Sequence, residues 1–200
     1  MPNHEYGAAH LSMSADTAGS PGPAPPAPGM ALLPYVLSLA DDALVLGHRL
    51  SEWSGRGPTL EEDIALSNLA LDLIGQARLC YAYAGEVEGE GRDEDALAYR
   101  RDEHGYRNLL LLEQPNGDFA MTMARHLLYA ACLDPYFKAL SASADPRLAG
   151  IGAKAAKEMA YHLRHATEWV IHLGDGTAEA TPAPPRRVTS CGCTRASCSR

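Results

Sequence analysis

The last apolar segment of the chain carries the residues best suited to metal chemistry. Glu158 and His162 lie four residues apart and His165 follows three residues later, so all three share one side of a helix. Carboxylates and imidazoles that converge inside a four-helix bundle can hold a di-iron centre, in which two helices each supply a Glu-x-x-His pair. No histidine in this sequence has an acidic residue three positions before it. The segment therefore predicts at most half of such a site, with altered spacing.

The other predicted helices do not supply the remaining ligands. The second helix offers Asp72, but Gly75 and Gln76 stand where a histidine would be needed. The third helix contains no glutamate, and its Asp134 precedes the helix-kinking Pro135. Three interpretations remain open: an intact di-iron site, a plain surface location, or a vestigial polar core with no catalytic, cofactor-binding or metal-binding residue. The vestigial core would contain Asp72, Gln76, Glu158, His162 and His165.

Four apolar segments must position these side chains. Their periodicity predicts an all-α bundle with helices over about Leu32–Trp53, Leu60–Glu86, Asp118–Leu140 and Arg147–Leu173. The first helix has one apolar stripe, and Asp41, Asp42 and Glu52 lie off it. The second helix is apolar on nearly every side, which predicts a central position in the bundle.

The connections between these helices carry clear local signals. Thr59 with Glu62 has the spacing of a capping box at the start of the second helix. The segment Asp93–Leu112 predicts one shorter, irregular helix, and Asn116-Gly117 predicts a turn after it. The charged run Arg100–His104 is interpreted as a solvated helix face, with a docking surface as the alternative.

Charge and composition exclude several classes of protein. The net charge of −8 argues against a nucleic-acid partner, because binding phosphates needs clustered lysine and arginine. No apolar run reaches the roughly 18 residues of a membrane span, and no basic segment precedes Ala31–Ala40 as it would in a signal peptide. We therefore expect a cytoplasmic protein without a membrane partner. Cys80 and Cys132 are predicted to be small buried hydrophobic residues.

Both ends of the sequence differ in character from the middle. Residues 1–29 form a Pro/Ala-rich tail that we expect to be disordered, and Met30 is a plausible later translation start. Residues 30–177 form the predicted helical domain. Residues 178–200 are rich in arginine and cysteine and have no helical period. We expect that segment to be unstructured, and we hypothesise that it results from a frameshift.

Four segments together indicate a family. They are LVLGHRLSEWSG (44–55), DIALSNLALDLIGQAR (63–78), RDEHGYRNLLLLEQPNGDFA (101–120) and AKEMAYHLRHATEWVIHLGDGT (156–177). In this order they resemble the PaaC family, the C-type subunits of the bacterial ring 1,2-phenylacetyl-CoA epoxidase. The resemblance covers about residues 31–177, and the strings NLLLLEQPNGDFA and LALDLIGQAR are the most specific to it.

The resemblance implies a ferritin-like fold and a place in aerobic phenylacetate catabolism. It implies a structural subunit without a cofactor of its own, inside an NADPH- and O2-dependent monooxygenase. Its implied partners are a homologous catalytic subunit holding the di-iron centre, other epoxidase subunits and a reductase. Family members continue with further helices where this sequence has its Arg/Cys-rich end, so the bundle would lack those C-terminal helices. Two rivals remain: an independent di-iron oxidase or hydroxylase, and a helical interaction module unrelated to oxygenases.

Overall fold

The computed structural model describes residues 28–176, and in that range the chain forms helices joined by turns without any strand. The α-helices are α1 (Pro28–Ser51), α2 (Leu60–Glu88), α3 (Glu94–Tyr99), α4 (Leu110–Glu113), α5 (Phe119–Leu140) and α6 (Pro146–Gly174). A single 3-10 turn, Glu103–Gly105, lies between α3 and α4. The four long helices match the four predicted from periodicity to within a few residues at each end.

The four long helices form a bundle of two helical hairpins. α1 packs along α2, α5 packs along α6, and the two hairpins meet where α2 contacts α6. Aromatic side chains also join them: the ring of Phe119 lies edge-on to both Trp53 and Trp169, at centroid distances of 5.7 and 5.0 Å. The indole nitrogen of Trp53 donates to the Thr122 hydroxyl at 3.1 Å. The predicted all-α, four-helix architecture is confirmed.

Local sequence signals explain where the helices begin and end. The Thr59 hydroxyl accepts a hydrogen bond from the backbone N–H of Glu62 at the start of α2, as the capping spacing predicts. Asp118 and Asp145 cap α5 and α6 in the same way. Gly89 ends α2 with φ of +72°, and Gly117 takes φ of +65° in the predicted turn, so both positions favour glycine. These boundaries fix the register of the bundle.

The prediction of one irregular helix over Asp93–Leu112 is wrong. The segment is divided into α3, the 3-10 turn and α4, joined by extended residues. Its backbone leaves the helix after α3 because the N–H groups of Arg107 and Leu109 donate to side chains of α1 instead of to their own helix. Tertiary hydrogen bonds therefore override the local helical preference.

Burial adds detail to the interpretation of α1 and limits that of α2. α1 buries the predicted apolar stripe, but it also buries Asp41 and Asp42, which lie off that stripe. α2 does not bury its apolar side chains on every side, since Leu60, Ile64 and Leu71 are 72%, 54% and 65% exposed. α2 keeps an outward face because, within residues 28–176, α1, α3 and α6 are the elements that pack closely against it.

Three remaining predictions have different outcomes. Cys80 is buried as predicted, whereas Cys132 is exposed on α5. Ala31–Ser51 has the length and hydropathy of a membrane span, the one such stretch within residues 28–176. In this bundle the helix packs into the core, and its two aspartates are held by hydrogen bonds. The predictions for residues 1–27 and for the Arg/Cys-rich end lie outside the described residues, and α1 starts at Pro28, two residues before the predicted domain boundary.

Candidate functional site: a histidine–carboxylate cluster

The structure places all five predicted polar-core residues where α2 faces α6. The Gln76 side-chain amide donates to Glu158 Oε2 at 2.8 Å. The Asp72 carboxylate lies 3.3 Å from Nε2 of His162. The two residues of each pair are 82 and 90 positions apart in sequence, so both contacts are tertiary. His165 lies one helical turn beyond His162 on the same side of α6, so the five residues form one continuous row.

Two further residues complete this cluster and were missed by the sequence argument. Glu62 Oε2 lies 3.0 Å from Nε2 of His165, so the predicted capping residue also reaches across to α6. His126 on α5 is fully buried, and its ring centroid lies 5.1 Å from that of His162. A signal for His126 was present, since it follows buried Met123 by three residues and precedes buried Ala130 by four. His126 forms no carboxylate–histidine pair in the sequence, because it has no acidic neighbour at the required spacing.

The cluster is polar but not fully hydrogen bonded. Among residues 28–176, both ring nitrogens of His126, Nδ1 of His162, Nδ1 of His165 and Oε1 of Gln76 are buried without a hydrogen-bond partner. A neutral imidazole carries one N–H donor and one acceptor nitrogen, so these rings lose hydrogen bonds that water supplies in the unfolded chain. Each unpaired buried group costs on the order of 1–3 kcal/mol. These unpaired atoms therefore reduce the stability that the contacts of the cluster contribute.

Burial controls the protonation of the histidines. Desolvation, with a smaller contribution from His165, lowers the pKa of His162 to about 3. Desolvation followed by repulsion from His162 and His165 holds the pKa of His126 well below its usual value. Burial raises the pKa of Asp72, and the charge of Lys154 partly offsets that effect. His126 and His162 are consequently neutral at pH 7.

The donors of this cluster do not fit a di-iron centre. Such a centre takes ligands from all four helices of a bundle, mostly carboxylates. Here α1 contributes none, α5 contributes a histidine in place of a glutamate, and each carboxylate of the cluster already contacts a separate side chain. Residues 28–176 contain no group of three or more His, Cys, Asp or Glu side chains in a metal-binding arrangement.

A second buried polar network is centred on α1. Asp41 is fully buried and forms an ion pair with Arg101, whose side chain is 8% exposed. The Tyr81 hydroxyl donates to Asp41 Oδ1 at 2.6 Å, and the backbone N–H of Arg107 donates to Oδ2 at 2.8 Å. The interpretation of Arg100–His104 as a solvated helix face is therefore wrong for Arg101, because the chain turns that guanidinium inward against α1.

This network holds the irregular segment between α3 and α4 against the bundle. The Arg101 guanidinium lies 4.4 Å from the ring centroid of Tyr106 and donates to the carbonyl of Gly105 at 3.0 Å. Asp42 Oδ1 accepts from the backbone N–H of Leu109 at 2.6 Å. Burial raises the pKa of Asp42 to about 6, although its bond to Leu109 acts in the opposite direction. Segment 101–109 thus owes its shape to α1.

Comparison with known proteins agrees with the bundle and its sequence motifs. The family model described as phenylacetic acid catabolic protein (PaaA_PaaC) matches residues 21–184. The chain belongs to this family. Its fold is accordingly the ferritin-like helical bundle, which the four long helices display.

One curated relative is close in sequence. It is the C-type subunit of the 1,2-phenylacetyl-CoA epoxidase of Escherichia coli (strain K12), which is 53% identical over 146 residues. The aligned region covers 73% of this chain and 58% of the relative. The chain therefore spans less than two thirds of the length of the relative that it matches.

Proposed function

We propose that this chain is the structural subunit of a phenylacetyl-CoA 1,2-epoxidase in aerobic phenylacetate catabolism. Its role is to stabilise a homologous catalytic subunit that holds the di-iron centre, and it carries no cofactor itself. The 53% identity to the C-type subunit of such an epoxidase supports the pathway and the complex. The family, which the chain shares with proteins of phenylacetic acid catabolism, supports the same assignment.

The observation that carries the non-catalytic role is the pairing of every carboxylate in the histidine–carboxylate cluster. Glu158 accepts from Gln76, Asp72 lies against His162, and Glu62 lies against His165. A metal ion would have to break these contacts and obtain its remaining ligands from α1, whose Asp41 is held by Arg101. The cluster is better suited to join α2 to α6 than to hold a metal ion that activates oxygen.

The proposed assembly includes the catalytic subunit, the other epoxidase subunits and an NADPH-dependent reductase. Oxygen activation and contact with the substrate take place in the catalytic subunit, and this chain contributes helix-on-helix contacts that keep that subunit folded. A cytoplasmic location accompanies this proposal, since the complex takes its electrons from NADPH.

Reconstitution with and without this chain tests the proposal. The chain should co-purify with the catalytic subunit and raise both its solubility and its epoxidation of phenylacetyl-CoA, while the isolated chain holds no stoichiometric iron. The catalytic subunit, loaded with iron in parallel, is the positive control. About two irons per isolated chain, together with oxidase activity in the absence of the catalytic subunit, would instead establish an independent di-iron enzyme.

A further inference from the structure

An apolar stripe on α2 has no covering element within the described part of the chain. Leu60, Ile64 and Leu71 recur at spacings of four and seven residues, which places them on one line along the helix. They are 72%, 54% and 65% exposed, so more than half of each side chain faces outward. The stripe extends for about 16 Å, at about 1.5 Å per residue. Three large aliphatic side chains at helical spacing are typical of a surface that binds a partner helix.

The neighbouring face of α6 has an excess of cations, although Lys154 pairs with Glu158 at 3.6 Å, Glu168 is also exposed there and the whole chain carries a net charge of −8. Lys154, Lys157 and Arg164 are exposed along this helix, and Lys154 and Lys157 are two of the three lysines in the sequence. Tyr161 is exposed between them, and the Arg164 guanidinium lies 5.4 Å from its ring centroid. Such an aromatic–cation arrangement is common at protein interfaces.

The apolar stripe and the basic face form one surface. Lys154 Nζ lies 4.0 Å from the position that a Cβ atom would take on Gly75 of α2. Gly75 lies one helical turn after Leu71, so Lys154 of α6 reaches the C-terminal end of the apolar stripe. We call the combined area the α2/α6 face and define it by Leu60, Ile64, Leu71, Lys157, Tyr161 and Arg164.

Gly75 adds an argument for close approach of another chain. A glycine inside a helix is unfavourable compared with alanine. A Cβ at Gly75 would meet no atom of residues 28–176 nearer than the flexible end of Lys154, so packing among these residues does not require glycine there. Gly152 of α6 is different, because a Cβ there would lie 2.7 Å from the backbone nitrogen of Ser141. The absent side chain at Gly75 leaves room for a partner backbone beside the apolar stripe.

We propose that the α2/α6 face binds a helix of the catalytic subunit that has an aliphatic stripe flanked by aspartate and glutamate. This inference rests on the proposed function for the identity of the partner. The apolar stripe of α2 buries the aliphatic residues of that helix, and Lys157 and Arg164 pair with its acidic flank. A second copy of this chain fits less well, because it would bring the same lysines and arginines to the contact.

Binding of the purified catalytic subunit to charge-reversal variants tests the electrostatic half of the proposal. K157E/R164E should weaken the Kd at least tenfold and flatten its dependence on salt, because two attractive contacts become repulsive. R56E/R100E is the matched control, since both arginines are exposed outside the α2/α6 face and the change in net charge is identical. The control should stay within about threefold of the unchanged chain.

Two apolar variants test the other half. I64S/L71S should also weaken the Kd at least tenfold, whereas L128S, at an exposed leucine of α5, should leave it within twofold. G75A should keep the melting temperature or raise it and still weaken binding at least fivefold, which separates docking from folding. A melting curve for each variant shows that the bundle is intact.

The outcomes distinguish this inference from the proposed function. If the unchanged chain fails to bind the catalytic subunit, the proposed function fails and this inference fails with it. If the unchanged chain binds and all three variants bind equally well, only the α2/α6 face is refuted. A self-association in sedimentation that I64S/L71S abolishes, or binding to anionic vesicles that K157E/R164E abolishes, would assign the face to a second copy or to a membrane and overturn the proposal.

Discussion

The two buried polar regions of this bundle are satisfied to different degrees. In the network around Asp41, both carboxylate oxygens accept hydrogen bonds, and the paired Arg101 donates to side chains and carbonyls around it. In the histidine–carboxylate cluster, four buried ring nitrogens have no partner among the described residues. Both regions bury titratable groups between helices. Only the first region converts that burial into a defined local structure.

The difference indicates what each region does for the protein. A fully connected buried network fixes geometry, since removing one side chain leaves its hydrogen-bond partners buried and unpaired. The network around Asp41 fixes the segment between α3 and α4, which has little regular structure of its own. A half-satisfied cluster costs stability and fixes less. The vestigial polar core expected from the sequence stays a prediction, and it agrees with the proposed structural role.

The largest effect is expected from breaking the satisfied network. Asp41→Ala leaves the Arg101 charge buried without its partner, which should lower the free energy of unfolding by about 3–5 kcal/mol. Chemical denaturation followed by circular dichroism measures this. Glu103→Ala, at an exposed position nearby, is the control and should change stability by less than about 0.5 kcal/mol. A loss of under about 1 kcal/mol for Asp41→Ala would mean that the network does not fix the segment.

Acidification should act with opposite sign on the buried histidines and on the buried aspartates. His126 and His162 have folded pKa values below the unfolded value of about 6.5, so the unfolded chain binds protons first and stability is lost as pH falls below that value. Each histidine contributes roughly 1 kcal/mol of loss per pH unit. Asp42 acts oppositely, because its raised pKa of about 6 adds stability as pH falls from about 6 toward about 4.

Urea denaturation between about pH 7 and pH 5 measures these opposed contributions. His126 and His162, whose pKa values are strongly lowered, outweigh Asp42 and Asp72, whose raised pKa values act in the opposite direction, so the net stability should fall on acidification. Asp42→Asn removes part of the opposing contribution and should make the fall steeper. A pH-independent stability for both proteins would show that the histidines are not buried in the neutral form.

A smaller, opposite change is expected in the unsatisfied cluster. His126→Leu removes two unpaired buried nitrogens and keeps a similar volume, so the bundle should become more stable by about 1 kcal/mol. The fall in stability on acidification should become shallower in the same variant. Thermal and urea denaturation measure both effects, and Met123→Ala, a cavity-forming change one turn away, is the destabilising control. Marked destabilisation by His126→Leu would mean that the ring has a structural partner.

Much of the fold could be predicted from the sequence, because apolar spacing and capping residues are local signals. Periodicity placed Asp72 and Glu158 in polar rows of two helices, but it left open whether those rows face each other or the solvent. The pairing of Asp41 with Arg101 could not be predicted, since 60 residues separate them. A run of charged residues also does not indicate which of its side chains turns toward the core. The exposed face of α2 could not be predicted, because a helix that is apolar on all sides is typical of both a protein core and an interface. The same ambiguity concealed His126 on an apolar stripe.

In the proposed function, the polar core of this chain takes no part in the metal chemistry of the complex. Glu158→Gln removes the carboxylate of the Glu158–His162 pair, which is the part of the chain most similar to a di-iron half-site. The new side chain can still hydrogen bond to Gln76. The direct measurement is iron per catalytic subunit in the complex purified with either form of this chain. We predict equal iron content and equal epoxidation per complex, with any loss confined to stability or yield of the assembly. A fall in iron content in proportion to the variant chain would contradict the structural role.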